Sequence, residues 1–90
     1  MVIQRNELNS LEGYSNVIIV PLTTKGRKSV TYVEVSRSEA NRLTAPSWAI
    51  TNQIFTIDQG DLREPLGRIS REELYKIKEA ILFVIDAQRV

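Results

Sequence analysis

The sequence predicts a mainly β protein in which a small, strongly bent antiparallel sheet is closed over or capped by one C-terminal helix. Short runs of β-branched and aromatic residues occupy most of the chain, and each is too short to form a stable helix. One segment with helical spacing follows a capping signature near the end. With 90 residues, the chain is predicted to be a single domain, residues 1–90, with a modest core.

Four strands are predicted. Residues 2–3 resemble the end of a strand, and residues 17–22 are a β-branched run that predicts a well-buried one. Pro21 has no N–H to donate to a ladder, so the end of this strand is expected at a sheet edge or a bulge. Residues 30–35 alternate, and with the preceding strand they predict a hairpin with a long loop. Residues 47–57 predict the last strand.

The helix is predicted to begin at Ser70 and to end near Asp86. Ser70 and Glu73 have the spacing of a capping box, in which each side chain bonds the backbone of the other residue. Glu72 faces Lys76 one turn later, which predicts a weak surface ion pair. Apolar residues at helical spacing predict a stripe that faces the core: Leu74, Ile77, Ala80, Ile81, Val84 and Ile85.

The connections are predicted from their turn residues. Residues 5–16 are polar and predict a loop, with room for one helical turn at 7–11. Residues 36–43 are ambiguous, since a serine could cap a helical turn there before Pro46 ends it. Residues 58–61 predict a turn, and residues 67–69 a short extended piece.

Composition narrows the classes of function. The net charge is +1, with no cysteine and no histidine, which excludes disulfides, thiolate chemistry and the usual acid–base group near neutral pH. No run is long enough for a membrane helix, and the N-terminus lacks a signal peptide's apolar core. The sequence predicts a cytoplasmic protein without a cofactor or metal. Asp58 and Asp61 are interpreted as turn formers, and Glu72 and Glu73 as helix-start acids.

A basic turn contains Lys25, Arg27 and Lys28. It is either a solvated hairpin tip or a phosphate-binding loop. The second interpretation is favoured by Thr23 and Thr24 just upstream, because their hydroxyl groups can donate to a phosphate or a ribose.

Gln53, Thr56 and Trp48 lie on the predicted strand 47–57 and can line the same surface as the basic turn. Gln53 both donates and accepts, so it either forms a cross-strand bond or contacts a ligand. Trp48 is interpreted as core, interface or a base-stacking platform. One hydrolytic class needs neither histidine nor metal. RNA can be cleaved by its own 2′-OH if the protein supplies proton transfer and donors to the phosphate.

The segments SNVIIVPLTTKGRKSVTYVEV and SWAITNQIFTIDQGDLREPLGRISREELYKIKEAI resemble the MazF/PemK/Kid family of toxin endoribonucleases. The PLTT strand end, the NQIFTID segment, the LGRIS turn and the final helix follow the family's order over residues 15–85. The resemblance implies an SH3-like or CcdB-like twisted β-barrel with a C-terminal helix.

The resemblance also implies an activity. Family members are dimers that cut single-stranded RNA at short motifs without metal, leaving a 2′,3′-cyclic phosphate and a 5′-hydroxyl. A cognate antitoxin covers the RNA groove. Thr23 corresponds to the family's functional threonine and Gln53 to its strand glutamine. We expect these two to hold the phosphate or the adjacent base, and Thr24, Lys25, Arg27 and Thr56 to line the RNA-binding surface.

One departure leaves the activity open. The family's first strand, the loop after it and the main catalytic arginine have no counterpart here, and Arg5 lies on the wrong side of the strand at residues 2–3 to replace that arginine. The chain is therefore interpreted as N-terminally truncated relative to the family. Three alternatives remain: a piece of a ribonuclease, a shortened protein that still binds RNA, antitoxin or toxin, or a CcdB-like dimeric module acting on a protein target.

Overall fold

The computed structural model describes residues 1–3, 13, 15–63 and 66–85. Its elements in chain order are strands β1 (Asn16–Ile19), β2 (Leu22–Thr23), β3 (Tyr32–Val35), β4 (Ser47–Ile50) and β5 (Phe55–Asp58), a 3₁₀ turn (Gln59–Asp61) and helix α1 (Arg71–Ile85). The predicted mainly β fold with a C-terminal helix is confirmed. The predicted helical turn at 7–11 and the helix end at Asp86 fall outside the described residues.

The strands form two antiparallel sheets. One pairs β1 with β5, and the other has the order β2–β4–β3. The first residues extend the smaller sheet, since the Ile3 amide donates to the Ile18 carbonyl at 2.9 Å and the Val20 amide donates to the Met1 carbonyl at 2.7 Å. Burial lowers the pKa of the Met1 amino group. Within the described ranges, the pairings do not close into the barrel that the resemblance implied.

Two predicted strands are each divided between the two sheets. The run 17–22 breaks at Val20–Pro21, and the run 47–57 breaks after Ile50. The breaks lie side by side, because the Ile50 amide donates to the Pro21 carbonyl at 3.0 Å. Pro21 has no N–H to continue a ladder, and the buried Thr51 turns its hydroxyl to the Thr31 carbonyl at 2.7 Å. Each run therefore bends around a corner.

The predicted hairpin between the first two long strands is wrong. β3 pairs with β4, and β4 also pairs with β2, so β4 lies between β2 and β3. Residues 24–31 connect β2 to β3 across the end of β4. Val30 and Thr31 lie in this connection and not in the strand. The hydrophobic pattern specifies which segments are strands but leaves their pairing order open.

The core is formed by the inner face of the larger sheet and by α1. Val20, Val35, Ala49 and Ile77 are fully buried, and half-buried residues including Leu22, Val33 and Ile81 pack against them. On β4, Ala49 faces this core while Trp48 and Ile50 face the opposite side, as strand alternation requires. The outer face of the larger sheet therefore carries Thr23, Tyr32, Glu34, Trp48 and Ile50.

Helix α1 is attached to the sheet through its first turn. The Glu73 amide donates to the Ser70 hydroxyl at 3.1 Å, and the Ser70 amide donates to the Glu73 carboxylate at 3.4 Å, which confirms the capping box. The same carboxylate accepts from the Ser36 amide just after β3, at 3.0 Å. The predicted Glu72–Lys76 pair is present at 3.5 Å.

The predicted core stripe is only partly correct. Ile77 is buried, and Leu74, Ala80 and Ile81 are half-buried. Val84 is 37% exposed and Ile85 is 58% exposed, so the stripe leaves the core in the last turns. Helical spacing shows that a face is apolar, but not how far the sheet extends beneath it.

The remaining connections are held by polar contacts. Residues 36–43 form turns without a helix, because the buried Asn41 side chain bonds the amides of Ser38 and Leu43 and the carbonyl of Ser36. Residues 67–69 form no strand, although the Arg68 amide donates to the Ala40 carbonyl at 2.8 Å. The predicted turn at 58–61 is confirmed as a 3₁₀ turn capped by the Asp58 side chain.

The indole of Trp48 packs against the backbone of Gly26. A Cβ built on Gly26 would overlap the fused ring atoms Cδ2, Cε2 and Cε3. Only glycine allows so close an approach between a main chain and an aromatic ring. This contact fixes the loop between β2 and β3 on the outer face of the larger sheet.

Glu73→Ala should destabilise the protein by about 1–2 kcal/mol, because the amides of Ser70 and Ser36 both lose their acceptor. Glu72→Ala is the matched control, since it removes an acid from the same turn but only a surface ion pair, worth about 0.5 kcal/mol or less. Urea unfolding measures both changes. Equal losses in the two variants would contradict the role assigned to Glu73.

Gly26→Ala should lower stability by about 1–3 kcal/mol, because the methyl group has to displace the indole of Trp48. Gly60→Ala is the control, since the nearest atom to its new Cβ is the Asp58 carboxylate oxygen at 3.2 Å, which can move aside. The two unfolding midpoints, together with the emission maximum of the single tryptophan, measure the effect. A Gly26→Ala protein with unchanged emission would refute the contact.

Candidate functional site

A row of three side chains crosses the outer face of the larger sheet. Thr23 on β2 is directly opposite Trp48 on β4, and Trp48 is directly opposite Glu34 on β3. Residues directly opposite each other in antiparallel strands project to the same side of the sheet. The next row, Leu22–Ala49–Val33, faces the core. The sheet therefore presents a hydroxyl, an indole and a carboxylate together on its outer side.

The connection from β2 to β3, residues 24–31, lies beside this row and is basic. Lys25, Arg27 and Lys28 are exposed. Within the described ranges, the single ion pair is the one between Glu72 and Lys76 on the helix, so these three cations carry their charge to solvent. An exposed cluster of this kind attracts anionic ligands.

Local bonds order the basic connection. The Thr23 Oγ1 atom accepts from the Lys25 amide at 3.1 Å, which folds the chain back after β2 and leaves the Thr23 hydroxyl hydrogen available to a ligand. The Arg27 guanidinium lies 5.0 Å from the Tyr32 ring centroid, and its Nη2 atom donates to the Tyr32 hydroxyl at 3.4 Å. Arg27 is therefore held over an aromatic ring, where its charge remains accessible.

A groove of about 380 Å³ opens between this connection and the sheet. Its volume is near the lower end of the range for small-molecule sites. It combines two aromatic rings, two cations and one acid, and its lining residues are Gly26, Arg27, Lys28, Ser29, Tyr32, Glu34 and Trp48.

The structure brings some of the predicted site residues together. Thr23 is half-buried at the end of β2, and Thr24, Lys25 and Arg27 follow it as exposed residues of the same connection. Thr56 is exposed on β5 opposite Ile18, in the other sheet. Thr56 and the end of β2 therefore belong to different sheets, and the expectation that Thr56 lines the same surface as the basic turn stays a prediction.

Gln53 does not lie on a strand as predicted. It is an exposed residue of the connection between β4 and β5, and its backbone N–H donates to the Ile50 carbonyl at 3.2 Å. The side chain makes no cross-strand bond in the described part of the structure, so the structural alternative for Gln53 is not observed. Because Ile50 is bonded to Pro21, Gln53 lies near the start of β2, whereas Thr23 is at the other end of that strand.

Sequence reasoning missed Tyr32 and Glu34 as parts of the site. Their alternation in residues 30–35 already placed them on one face, and that face is the outer one. The signal was therefore present, but the pairing of β3 with β4, which puts them beside Trp48, is a contact between distant segments. Trp48 itself is half-buried, consistent with both a packing role and an exposed aromatic surface.

Two features are absent from the described ranges: a side-chain cluster that could hold a metal ion and a helix that could span a membrane. These residues contain no cluster of three or more acids, cysteines or histidines. Asp58, one of the two acids considered, instead accepts from the Gly60 amide at 2.8 Å. Among the same residues, no helix has the length and apolar character needed to span a bilayer.

Comparison with solved structures supports the fold. The toxin MazF-mt6 of Mycobacterium tuberculosis is 26% identical with a TM-score of 0.82, and the match covers 99% of this chain and 86% of that chain. A second Mtb toxin is 26% identical with a TM-score of 0.81, covering 94% and 89%. A mycobacterial endoribonuclease in complex with its cognate antitoxin has a TM-score of 0.81 over 100% and 82%, and its 23% identity indicates the fold alone.

Comparison with curated proteins gives no match. The profile of one protein family does match, over residues 1–85 of the chain, and that family is described as PemK-like, MazF-like toxin of type II toxin-antitoxin system. The match includes both sheets, the basic connection and helix α1. The chain therefore belongs to the PemK-like, MazF-like toxins of type II toxin–antitoxin systems, a family of endoribonuclease toxins.

Proposed function

We propose that this toxin binds single-stranded RNA on the outer face of its three-stranded sheet and cleaves it at short motifs without a metal ion. The observation that carries the proposal is the position of Thr23. Its hydroxyl lies on the outer face, in register with Trp48 and directly before three exposed cations. Hydroxyl donors, cations and an aromatic ring are the groups that bind phosphates and bases of single-stranded RNA.

In the proposed reaction, the 2′-OH of the RNA attacks the adjacent phosphorus and the 5′-oxygen leaves. The products are a 2′,3′-cyclic phosphate and a 5′-hydroxyl. Thr23 donates to a phosphate oxygen, while Lys25 and Arg27 stabilise the negative charge that grows there. Thr24 binds the adjoining backbone.

Gln53 and Thr56 are assigned to nucleotides farther along the strand. Gln53 is exposed beside the corner where the two sheets meet, so an RNA that passes from Thr23 over this corner reaches its amide. Thr56 lies beyond the corner on β5 and would contact the sugar–phosphate backbone of the same RNA molecule. An extended nucleotide chain can contact Thr23, Gln53 and Thr56 at once more readily than a compact ligand can.

Cleavage by this chain is proposed to be weak. With no histidine in the sequence, proton transfer to and from the reacting oxygens lacks the side chain that most often performs it near neutral pH. The second candidate function is therefore binding of RNA or antitoxin without efficient cleavage. This second function is supported by the exposed cations Lys25, Arg27 and Lys28 beside Thr23, in a sequence that has no histidine.

We also propose a cytoplasmic homodimer that a cognate antitoxin neutralises. A structurally similar mycobacterial endoribonuclease forms a complex with its cognate antitoxin. In this chain, Tyr75, Leu82 and Phe83 on α1 are 62%, 56% and 69% exposed, which is typical of surfaces that a protein partner covers. Sedimentation showing a stable monomer at micromolar concentration would contradict the dimer.

Incubation with a long single-stranded RNA in EDTA should give weak or no cutting, because donors to the phosphate are present without an efficient acid–base group. Gel analysis of the products measures the rate and the motif. Strong, motif-specific cutting would overturn this expectation and require a catalytic group other than those named here.

In any form of the protein that cuts RNA, Thr23→Ala and Gln53→Ala should each lower the rate, Thr23→Ala by about tenfold or more, because a donor to the charged phosphate is lost. Thr44→Ala and Gln59→Ala are the matched controls, since both remove exposed residues of the same type elsewhere. Rates that match these controls would remove Thr23 or Gln53 from the site.

Binding of a non-cleavable RNA should weaken as the salt concentration rises. Lysine and arginine side chains that bind phosphates release counterions from the RNA, and added salt opposes that release. Lys25→Gln should reduce the slope of log affinity against log salt by about 0.7, the value for one contact to a single strand. Lys78→Gln, which removes an exposed lysine of α1, is the control. Fluorescence anisotropy of labelled RNA measures both, and absence of RNA binding at low salt would favour a protein-binding module.

A further inference from the structure

We propose that the groove lined by Tyr32, Glu34 and Trp48 is a base-selective subsite that accepts a nucleobase with an exocyclic amino group and rejects uracil. This inference rests on the proposed RNA binding and assigns the groove one nucleotide adjacent to the phosphate at Thr23. The groove lies next to Thr23 because Thr23, Trp48 and Glu34 form one cross-strand row.

The groove has the surfaces that a single base requires. The half-buried Trp48 and Tyr32 both contribute to its lining. Because Arg27 already lies over the Tyr32 ring, Trp48 is the ring assigned to base stacking, which contributes to affinity for any sequence. Gly26 covers part of the indole and holds it in place. The ring is therefore oriented before ligand binds, which lowers the entropic cost of stacking.

Glu34 is the feature that a general phosphate-binding surface does not explain. Its exposed carboxylate lines the groove beside Arg27 and Lys28, where it opposes the binding of an anion. Within the described ranges neither cation forms an ion pair with Glu34, and Arg27 is instead held over the Tyr32 ring. The carboxylate oxygens of Glu34 are therefore available to accept hydrogen bonds from a ligand.

A carboxylate accepts hydrogen bonds and does not donate them. Cytosine presents its N4 amino group as a donor, and acidic side chains are the expected partners for that group. Uracil has a carbonyl at the same position, which would face the negative carboxylate. Glu34 should therefore favour cytosine over uracil, two bases of nearly the same shape, while the neighbouring cations bind the flanking phosphates.

The test uses short 2′-O-methyl oligonucleotides, which cannot be cleaved, with either cytosine or uracil at every position. Trp48 is the single tryptophan of the chain, so its emission reports on this groove alone. The cytosine oligonucleotide should quench Trp48 and bind about tenfold more tightly than the uracil one, as expected for one discriminating contact. Anisotropy of a labelled oligonucleotide measures total binding independently of the tryptophan.

Glu34→Gln keeps the shape of the side chain but adds a donor, so the preference for cytosine should disappear. Glu79→Gln is the matched control, because it neutralises an exposed acid on α1, and it should retain the preference. Circular dichroism verifies that both variants are folded. A Glu34→Gln protein with the wild-type preference would overturn the inference.

Further outcomes separate this inference from the proposed function. If anisotropy shows RNA binding while Trp48 emission is unchanged, the subsite is refuted and RNA binding stands. If neither oligonucleotide binds at low salt, both proposals fail. Cytidine monophosphate carries one phosphate and none of the neighbouring nucleotides, so it should bind more weakly than the oligonucleotide. Equal affinity would contradict a subsite within an RNA-binding surface.

Discussion

The position of β4 between β2 and β3 is the constraint on which the rest of the structure depends. Ala49 is fully buried and is paired with Leu22 on one side and Val33 on the other. Because strand residues alternate between faces, this buried row directs Trp48 and its neighbours outward. A shift of one residue in either pairing would exchange the two faces and bury the polar row. The candidate site is therefore a consequence of core packing.

The corner between the two sheets explains how so short a chain builds a wide surface. Pro21 ends one ladder, Thr51 bonds the Thr31 carbonyl through its backbone amide and its hydroxyl, and the bond from Ile50 to Pro21 holds the two bends together. Each long run then contributes to both sheets. The polar residues after the bend at Ile50, Asn52 and Gln53, are exposed because the backbone there leaves the ladder. Local backbone chemistry thus determines where potential ligand contacts are placed.

Features set by local sequence were predictable, and features set by distant contacts were not. The capping box of Ser70 and Glu73 and the turn at Asp58 follow from nearby side chains, and both are confirmed. Alternation around Trp48 predicted a strand, but a continuous pattern gives no sign of the break that places Gln53 in a connection. The order β2–β4–β3 and the bond from Glu73 to Ser36 join distant segments, so no local pattern contains them. Part of the candidate site, Thr23 and the basic turn, could be proposed from the sequence because their chemistry is local.

The proposed RNA recognition requires the outer face of the larger sheet to be the contact surface. Heteronuclear NMR with a short, non-cleavable RNA tests this most directly, since the single tryptophan gives one indole N–H signal. We expect that signal and the amides of Thr23 and Lys28 to shift on titration, while those around Lys76 in α1 stay in place. Shifts confined to the helix or to β1 and β5, with the indole signal unmoved, would contradict the account.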